Sequence, residues 1–195
     1  MIITVASFKG GVGKSTTAIH LAGYLSDSSS VVLIDDDPNR SATSASGELP
    51  YSVATQDNAR KYLSEVEPEH VVIDTGASTD PARLQSLGER CDLMVLPTSP
   101  DAFALRALLQ TVQALEGYNY RVLLTICPPS PSRDADEARD TLERAGLPTF
   151  KGQIRRAVAF QKAALAGCLV RDVSDPRAMV AWLDYVRIGD EIAKG

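Results

Sequence analysis

The chain has 195 residues, of which 44% are hydrophobic and 23% charged, and this composition suits a globular fold with a sizeable core. We expect residues 1–195 to form a single domain. No apolar run reaches about 18 residues, which excludes a transmembrane helix. The net charge of −5 excludes a surface that is basic all over, although it leaves room for a local basic patch.

The cysteines are Cys91, Cys127 and Cys168, which are odd in number and have no C-x-x-C spacing. We therefore expect neither structural disulfides nor a metal cluster, and we expect a cytoplasmic location. The chain begins directly with an apolar segment, so no signal peptide is expected. His20 and His70 belong to no catalytic or metal-binding pattern, and we interpret both as structural.

Short apolar segments alternate with helical patterns along the chain. They predict strands at residues 2–7, 31–35, 71–74, 93–97 and 120–126, and a further strand that opens at 149–151. Helical periodicity begins near Ser15 and returns at 102–115, 134–145 and 176–194. Continuous apolar strands separated by helices indicate a sheet covered on both faces. We predict a doubly wound α/β fold with mainly parallel strands and ligands outside their carboxyl ends.

A glycine-rich loop follows the first strand at residues 8–16. The general phosphate-binding pattern is G-x-x-x-x-G-K-[ST]; Phe8 stands at the place of its first glycine, while Gly13-Lys14-Ser15 closes it intact. Glycines allow successive backbone N–H groups to point at phosphate oxygens. Lys14 supplies a charge for the β- and γ-phosphates, and the Ser15 hydroxyl has the right length to ligate Mg²⁺. The order of strand, loop and helix indicates a P-loop NTPase.

Carboxylates stand at the ends of two predicted strands. Asp35-Asp36-Asp37-Pro38-Asn39 closes the second strand and Asp74 closes the third. Adjacent acids repel one another, so we interpret the first cluster as a site for a cation or a proton; the alternative is an acidic turn that Pro38 ends. Asp36 is expected to face solvent. An apolar strand that ends in aspartate is the Walker B arrangement, which usually holds Mg²⁺ through water.

Lys9 distinguishes this loop from an ordinary P-loop. The run Lys9-Gly10-Gly11-Val12-Gly13-Lys14-Ser15 resembles the deviant Walker A loop of the ParA/MinD family of ATPases, and further motifs in the same order extend the resemblance over nearly the whole chain. In that family the first lysine reaches across a dimer interface to the partner's nucleotide. The resemblance implies this role for Lys9, and the alternative is a solvated lysine beside an ordinary loop.

The resemblance assigns further roles. It implies that Lys9, Lys14 and Asp37 are catalytic, with Asp37 orienting the attacking water. The implied magnesium ligands are Ser15, Asp35 and Asp74. The implied nucleotide-binding residues are Gly10, Gly11, Val12, Gly13, Lys14, Ser15 and Thr16.

The sequence departs from the family at two points. Asn39 stands where glutamine is usual, and Gly76-Ala77-Ser78 stands where prolines usually follow. Gly76 is therefore a candidate hinge that senses the γ-phosphate. The segment that ends in Pro100-Asp101 resembles the family's P-T-x-P-D turn, and Asp101 is predicted to cap the next helix.

Basic residues concentrate in the last quarter of the chain. Arg155, Arg156 and Arg187 are candidates for DNA binding, because late arginines of partition ATPases bind the DNA backbone without sequence preference. The alternative is a solvated face that is partly salt-bridged.

As a whole, the resemblance implies slow ATP hydrolysis that serves as a timer for dimerisation, with ATP and Mg²⁺ as cofactors. The ATP-bound homodimer would bind nucleoid DNA non-specifically, and a separate adaptor protein linked to the cargo would stimulate hydrolysis. The cargo would be a plasmid, a chromosome origin or a protein body such as a carboxysome. We expect a cytoplasmic, nucleoid-associated protein without stable membrane contact.

Two alternatives remain open. A MinD-like membrane ATPase requires a basic amphipathic end, whereas residues 186–195 are mixed in charge. A biosynthetic ligase similar to dethiobiotin synthetase would activate a carboxylate with ATP, would not need Lys9, and would hydrolyse ATP only with its substrate.

Overall fold

The computed structural model describes residues 1–44, 47–77 and 80–194. The strands are β1 (Ile2–Val5), β2 (Val31–Asp36), β3 (Ser52–Thr55), β4 (His70–Thr75), β5 (Leu93–Thr98) and β6 (Tyr120–Leu124). Within the described residues they form one six-stranded sheet in the order β3-β2-β4-β1-β5-β6. Every pairing is parallel.

Helices cover both faces of this sheet. They are α1 (Lys14–Ser26), α2 (Ser41–Ser44), α3 (Gln56–Val66), α4 (Pro81–Gly88), α5 (Ala102–Gln113), α6 (Asp134–Arg144), α7 (Val158–Ala166) and α8 (Ala178–Ala193). α1, α2, α7 and α8 share one core with Val31 and Leu33. α3 packs on Val32 and Ile34, and α4, α5 and α6 share the remaining core on that side. Because successive strand residues point to opposite faces, β2 serves both cores.

The fold class predicted from the sequence is confirmed, and two predictions about elements are corrected. Residues 149–151 do not form a strand, because Thr149 makes only an isolated bridge to Val122. The sequence prediction missed β3 and α3. β3 has only four residues and pairs with β2 alone, and α3 has no fully buried residue, so both carry a weak apolar pattern. No helix in the described ranges combines the length and apolarity needed to cross a bilayer.

His20 has the structural role expected of it. The ring is buried between α1 and the segment before α8; its Nε2 accepts the N–H of Val170 at 3.0 Å, so Nδ1–H donates to the carbonyl of Thr16 at 2.7 Å. Burial lowers the pKa of His20 to about 4. The neutral ring therefore fixes the first turn of α1 against the last quarter of the chain.

The register of the central strands brings the polar strand ends together. Val5 of β1 lies opposite Asp74 of β4, and Asp74 lies opposite Asp35 of β2. The loops after β1, β2 and β4 therefore open at one carboxyl edge of the sheet. β1 has β4 on one side and β5 on the other, which makes this edge a topological switch point, where open α/β sheets bind ligands.

Candidate functional site

The glycine loop joins β1 to α1 with two left-handed residues. Gly11 has φ +76° and Gly13, which caps α1, has φ +84°. Residues with a Cβ rarely adopt this conformation, so glycine is required by the backbone. The Thr125 hydroxyl, just after β6, donates to the carbonyl of Val12 at 2.8 Å and holds the loop from behind. Sequence analysis missed Thr125, because no local pattern connects it with the loop.

Lys14 lies inside the loop. Its side chain is largely buried, and Nζ donates to the carbonyl of Lys9 at 3.3 Å. Burial lowers the pKa of Lys14, while the nearby carboxylates of Asp74 and Asp37 raise it. The ammonium therefore has one long hydrogen bond to a neutral acceptor, and a phosphate oxygen would be a stronger partner.

Asp74 is the most unusual side chain of the site. It is 0% exposed, and neither carboxylate oxygen has a partner in hydrogen-bonding geometry among the described residues. The pKa of Asp74 is raised to about 7, chiefly by burial and also by Asp35 and Asp37, against the lowering effects of the nearby Ser15 hydroxyl and Lys14. Mg²⁺ in nucleotide sites takes one or two protein oxygens, water and phosphate. An unpartnered carboxylate beside a serine hydroxyl fits such an ion.

Asp35 organises the loop that follows β2. Its Oδ1 accepts the N–H of Asp37 at 3.1 Å, and its Oδ2 accepts the N–H and the hydroxyl of Thr43, both at 2.7 Å. Both oxygens are thus engaged in holding residues 37–43, which we call the β2 loop. The role of Asp35 in the magnesium shell stays a prediction.

Asp37 projects from the β2 loop towards the glycine loop and is half-buried. Its Oδ1 accepts the N–H of Asn39 at 2.8 Å and the Nδ2–H of the same residue at 3.0 Å. Asn39, where the sequence departs from the family, therefore holds the carboxylate in place. Oδ2 accepts no hydrogen bond from any described residue, which leaves it available to a water molecule.

The expectation that Asp36 faces solvent is wrong. Its side chain is only 10% exposed, and its Oδ2 accepts a hydrogen bond from Nη2 of Arg83 at 2.9 Å. Asp36 alternates with Asp35 and Asp37 along the chain and so points away from them, towards α4. Three consecutive aspartates thus have three different environments.

Gly76 lies directly against the β2 loop. A Cβ on Gly76 would come within 2.8 Å of Pro38 Cδ and 3.5 Å of Asp37 Oδ1, so any larger residue displaces this loop. The hinge role of Gly76 stays a prediction. Ser78, which belongs to the departure from the family motif, lies outside the described residues.

Lys9 is held at the rim of the site by its own chain. Nζ lies 3.1 Å from Oδ1 of Asp101, which also accepts the N–H groups of Phe103 and Ala104 and so caps α5 as predicted. The Ser99 hydroxyl lowers the pKa of Asp101 to about 2, with the Ala104 N–H and Lys9 contributing. Asp101 is therefore ionised at neutral pH, and its negative charge attracts the ammonium of Lys9.

A cavity of about 660 Å³ extends from the glycine loop and Asp37 towards α7, a size suited to a nucleotide. Beyond the loop its walls include Ile126, Ile154 and Phe160, which sequence analysis missed. These residues converge only in the fold, where Ile126 adopts a left-handed conformation with φ +53°.

The late arginines occupy different environments. Arg155 makes a bidentate ion pair with the buried carboxylate of Asp184, at 2.6 and 2.7 Å. Arg156 is exposed and, like Arg155, lines the large cavity. Arg187 is exposed and lines a separate cleft of about 360 Å³ with Lys151 and Arg155. The three DNA-binding candidates therefore do not share one environment, and their DNA-binding role stays a prediction.

We expect Asp74→Asn to stabilise the nucleotide-free protein in EDTA, and more so at pH 8 than at pH 5. A folded pKa of about 7, against an ordinary 3.8, means that ionising Asp74 disfavours folding progressively between these values and fully above them. The gain should be roughly 2 kcal/mol larger at pH 8 than at pH 5. Thermal or urea unfolding at the two pH values measures it.

Asp140→Asn, on an exposed position of α6, is the matched control and should change stability little at either pH. An Asp74→Asn gain that is the same at pH 5 and pH 8 would show that Asp74 does not titrate in this range.

Residues 3–170 match the model of the CobQ/CobB/MinD/ParA nucleotide binding domain. The chain is 36% identical over 201 residues to the maintenance of carboxysome distribution protein A of Gloeobacter kilaueensis, covering 98% of this chain and 93% of that protein. It is 35% identical over 133 residues to the chromosome-partitioning ATPase Soj of Thermus thermophilus, covering 67% of this chain and 47% of that protein.

Solved structures share the fold. The TM-score is 0.78 with apo McdA of Cyanothece, at 20% identity, covering 100% of this chain and 99% of the other. It is 0.76 with a plasmid partition protein of Borrelia burgdorferi bound to AMPPNP, also at 20% identity, covering 99% of this chain and 98% of the other. With its deviant glycine loop and its two strand-end aspartates, the chain belongs to the CobQ/CobB/MinD/ParA family of nucleotide-binding proteins.

Proposed function

We propose that this chain is a ParA-type ATPase of a single domain. It binds ATP with Mg²⁺, dimerises on ATP, binds nucleoid DNA without sequence preference, and positions or partitions a cargo in the cytoplasm. The observation that carries the proposal is the second lysine, Lys9, held beside a glycine loop that Lys14 already serves. Similarity over nearly the whole length to a carboxysome distribution protein supports a protein body among the possible cargoes.

Nucleotide binding follows from the backbone of the glycine loop. The amides of residues 10–16 and the N-terminus of α1 face the phosphates, and Lys14 exchanges the Lys9 carbonyl for a phosphate oxygen. Ser15 and Asp74 would hold Mg²⁺, with Asp35 behind them. The ion would neutralise charge that develops on the phosphates. Binding it would also relieve the unpartnered state of the Asp74 carboxylate.

Hydrolysis is assigned to Asp37. Phosphoryl transfer requires positioning more than a strong base, so a carboxylate that orients water is sufficient. Asn39 holds one oxygen of Asp37 and leaves the other to the water.

Dimerisation requires Lys9 to leave Asp101. Both partners of this ion pair are partly exposed, with side-chain exposures of 33% and 49%, so the pair is weak and exchangeable. Phe103, which follows Asp101 in the first turn of α5, is 76% exposed and gives the same rim an apolar contact for a second subunit. A separate adaptor, linked to the cargo, would stimulate hydrolysis and so dissociate the dimer.

We expect Lys9→Ala to bind ATP. The variant should not dimerise, and it should not hydrolyse ATP at the normal rate. Asp101→Asn should instead dimerise at lower protein concentration. Asparagine caps a helix as well as aspartate does, but it removes the charge opposite Lys9. The gain should be modest, roughly two- to tenfold in the dimerisation constant, because exposed ion pairs contribute little. Sedimentation with a non-hydrolysable ATP analogue measures it.

Lys61→Ala is the matched control, since it removes another ion-paired lysine, on α3. If Lys9→Ala dimerises and turns over like the wild type, Lys9 does not act across an interface. If Asp101→Asn leaves dimerisation unchanged, Asp101 does not compete for Lys9.

We expect Asp37→Ala to retain ATP affinity and remain a dimer while hydrolysis slows by roughly 100-fold or more. The carboxylate acts on the attacking water rather than on the bound nucleotide. Single-turnover hydrolysis beside nucleotide affinity separates the two effects. Asp57→Ala, an exposed position on α3, is the control. A variant that loses affinity but keeps its rate would make Asp37 a binding residue.

DNA binding is assigned chiefly to Arg187. We expect Arg187→Ala to weaken DNA binding by the ATP-bound dimer about equally on unrelated sequences and to reduce the salt slope of the affinity by roughly one unit.

Arg156→Ala should weaken the binding of both DNA and nucleotide, because Arg156 lines the nucleotide cavity. Arg155→Ala should instead destabilise the fold, because it leaves Asp184 buried without its partner.

The measurement is a salt titration of affinity on two DNA sequences, with Arg144→Ala on α6 as control. Unchanged DNA binding in Arg187→Ala contradicts the assignment. A wild-type protein that does not bind DNA at low salt but sediments with anionic liposomes would be a MinD-like membrane ATPase. A wild-type protein that binds neither DNA nor liposomes would favour the ligase alternative.

A further inference from the structure

An ion pair joins the end of β2 to α4. Asp36, the last residue of β2, accepts a hydrogen bond from Nη2 of Arg83 at 2.9 Å, and the same nitrogen lies 3.4 Å from the Asp36 carbonyl. The Asp36 side chain is 10% exposed and that of Arg83 is 39% exposed. A carboxylate this far removed from water depends on its cation, since an unpartnered buried charge is strongly unfavourable.

Arg83 belongs to a helix with a single fully buried residue. It lies in α4, next to Leu84, which is buried among residues of β5 and α5. Asp80 caps this helix by accepting the N–H of Ala82 at 3.0 Å. A displacement of α4 therefore moves the guanidinium together with the helix.

Asp36 directly precedes Asp37 in the chain, so the two residues share a peptide bond. The segment from Asp36 to Pro38 touches the β4 side in three ways: Asp36 pairs with Thr75 of β4, Gly76 lies close against Pro38, and Arg83 contacts Asp36. On the outer side a polar cavity of about 220 Å³ separates this segment from the start of α3. The side chain of Asp36 is therefore held by polar pairing with Arg83 and not by apolar packing against α3.

We propose that the Asp36–Arg83 ion pair couples α4 to Asp37, so that Arg83 is a positioning residue for ATP hydrolysis. This inference rests on the proposed hydrolytic role of Asp37. The chain connects β4, which carries Asp74 at the candidate nucleotide site, to α4. When bound nucleotide shifts this connection, α4 moves with it. The Asp36–Arg83 ion pair then transmits the movement of α4 to the main chain that carries Asp37.

The first test separates rate from affinity. We expect Arg83→Gln to bind ATP within a few-fold of wild type while single-turnover hydrolysis falls roughly 10- to 100-fold, the range expected for a misplaced reacting group. Arg83→Lys, which keeps the charge, should recover most of the rate. The double variant Asp36→Asn/Arg83→Gln should be no slower than Arg83→Gln, because both changes break one interaction.

Arg90→Gln is the matched control, because it makes the same chemical change at an exposed position just beyond α4 and should behave like the wild type. A purely structural ion pair would lower the melting temperature of Arg83→Gln and leave the rate per folded molecule unchanged, which would overturn the proposal. A parallel loss of affinity and rate would also overturn it.

Hydrogen exchange tests the coupling without hydrolysis. With a non-hydrolysable ATP analogue, the wild type should gain protection both in residues 37–43 and in α4, whereas Arg83→Gln should gain it only in one of the two segments. Equal protection of both segments in Arg83→Gln, or no response of α4 in the wild type, overturns the proposal. A wild type that shows coupled protection but no hydrolysis would refute the proposed function alone.

Discussion

The burial of the Asp74 carboxylate is the constraint on which the rest of the site depends. The parallel register of β1, β4 and β2 places Asp74 in the middle of the sheet edge, where its oxygens find no donor in hydrogen-bonding geometry among the described residues. The fold tolerates this because the same edge carries Ser15 and the Lys14 ammonium, and because the pKa of Asp74 rises to about 7. A hydrated divalent cation with phosphate would compensate this buried carboxylate.

Strand geometry explains how three consecutive aspartates acquire three functions. Asp35 points into the fold and binds the β2 loop, Asp36 points to the opposite face and meets Arg83, and Asp37 leaves the strand towards the cavity. Their mutual repulsion is reduced because each carboxylate has its own donors. A sequence pattern that shows only acidity cannot distinguish these roles, but the alternation of a strand does.

Local patterns predicted the elements that carry strong periodicity or fixed backbone chemistry. The glycine loop, the apolar strands and the Asp101 cap were all readable, since each depends on neighbours within a few residues. The short edge strand β3, the loop support from Thr125 and the pairs Asp36–Arg83 and Arg155–Asp184 were not. Each of these joins residues 29 or more positions apart or rests on edge pairing with weak apolar content, so the tertiary fold decides them.

The cations of this chain differ in how readily they can move. Among the described residues, Lys14 makes one long hydrogen bond, to a neutral carbonyl, and both partners of the Lys9–Asp101 pair are partly exposed, so either ammonium can exchange its partner at low cost. Arg155 faces a carboxylate that is 2% exposed, and separating this pair would leave Asp184 buried and charged. The structure therefore separates cations that can transfer to a nucleotide from those that hold the scaffold still. The difference lies in the partner that each cation would leave behind: a carbonyl for Lys14, a partly exposed carboxylate for Lys9, and a buried carboxylate for Arg155.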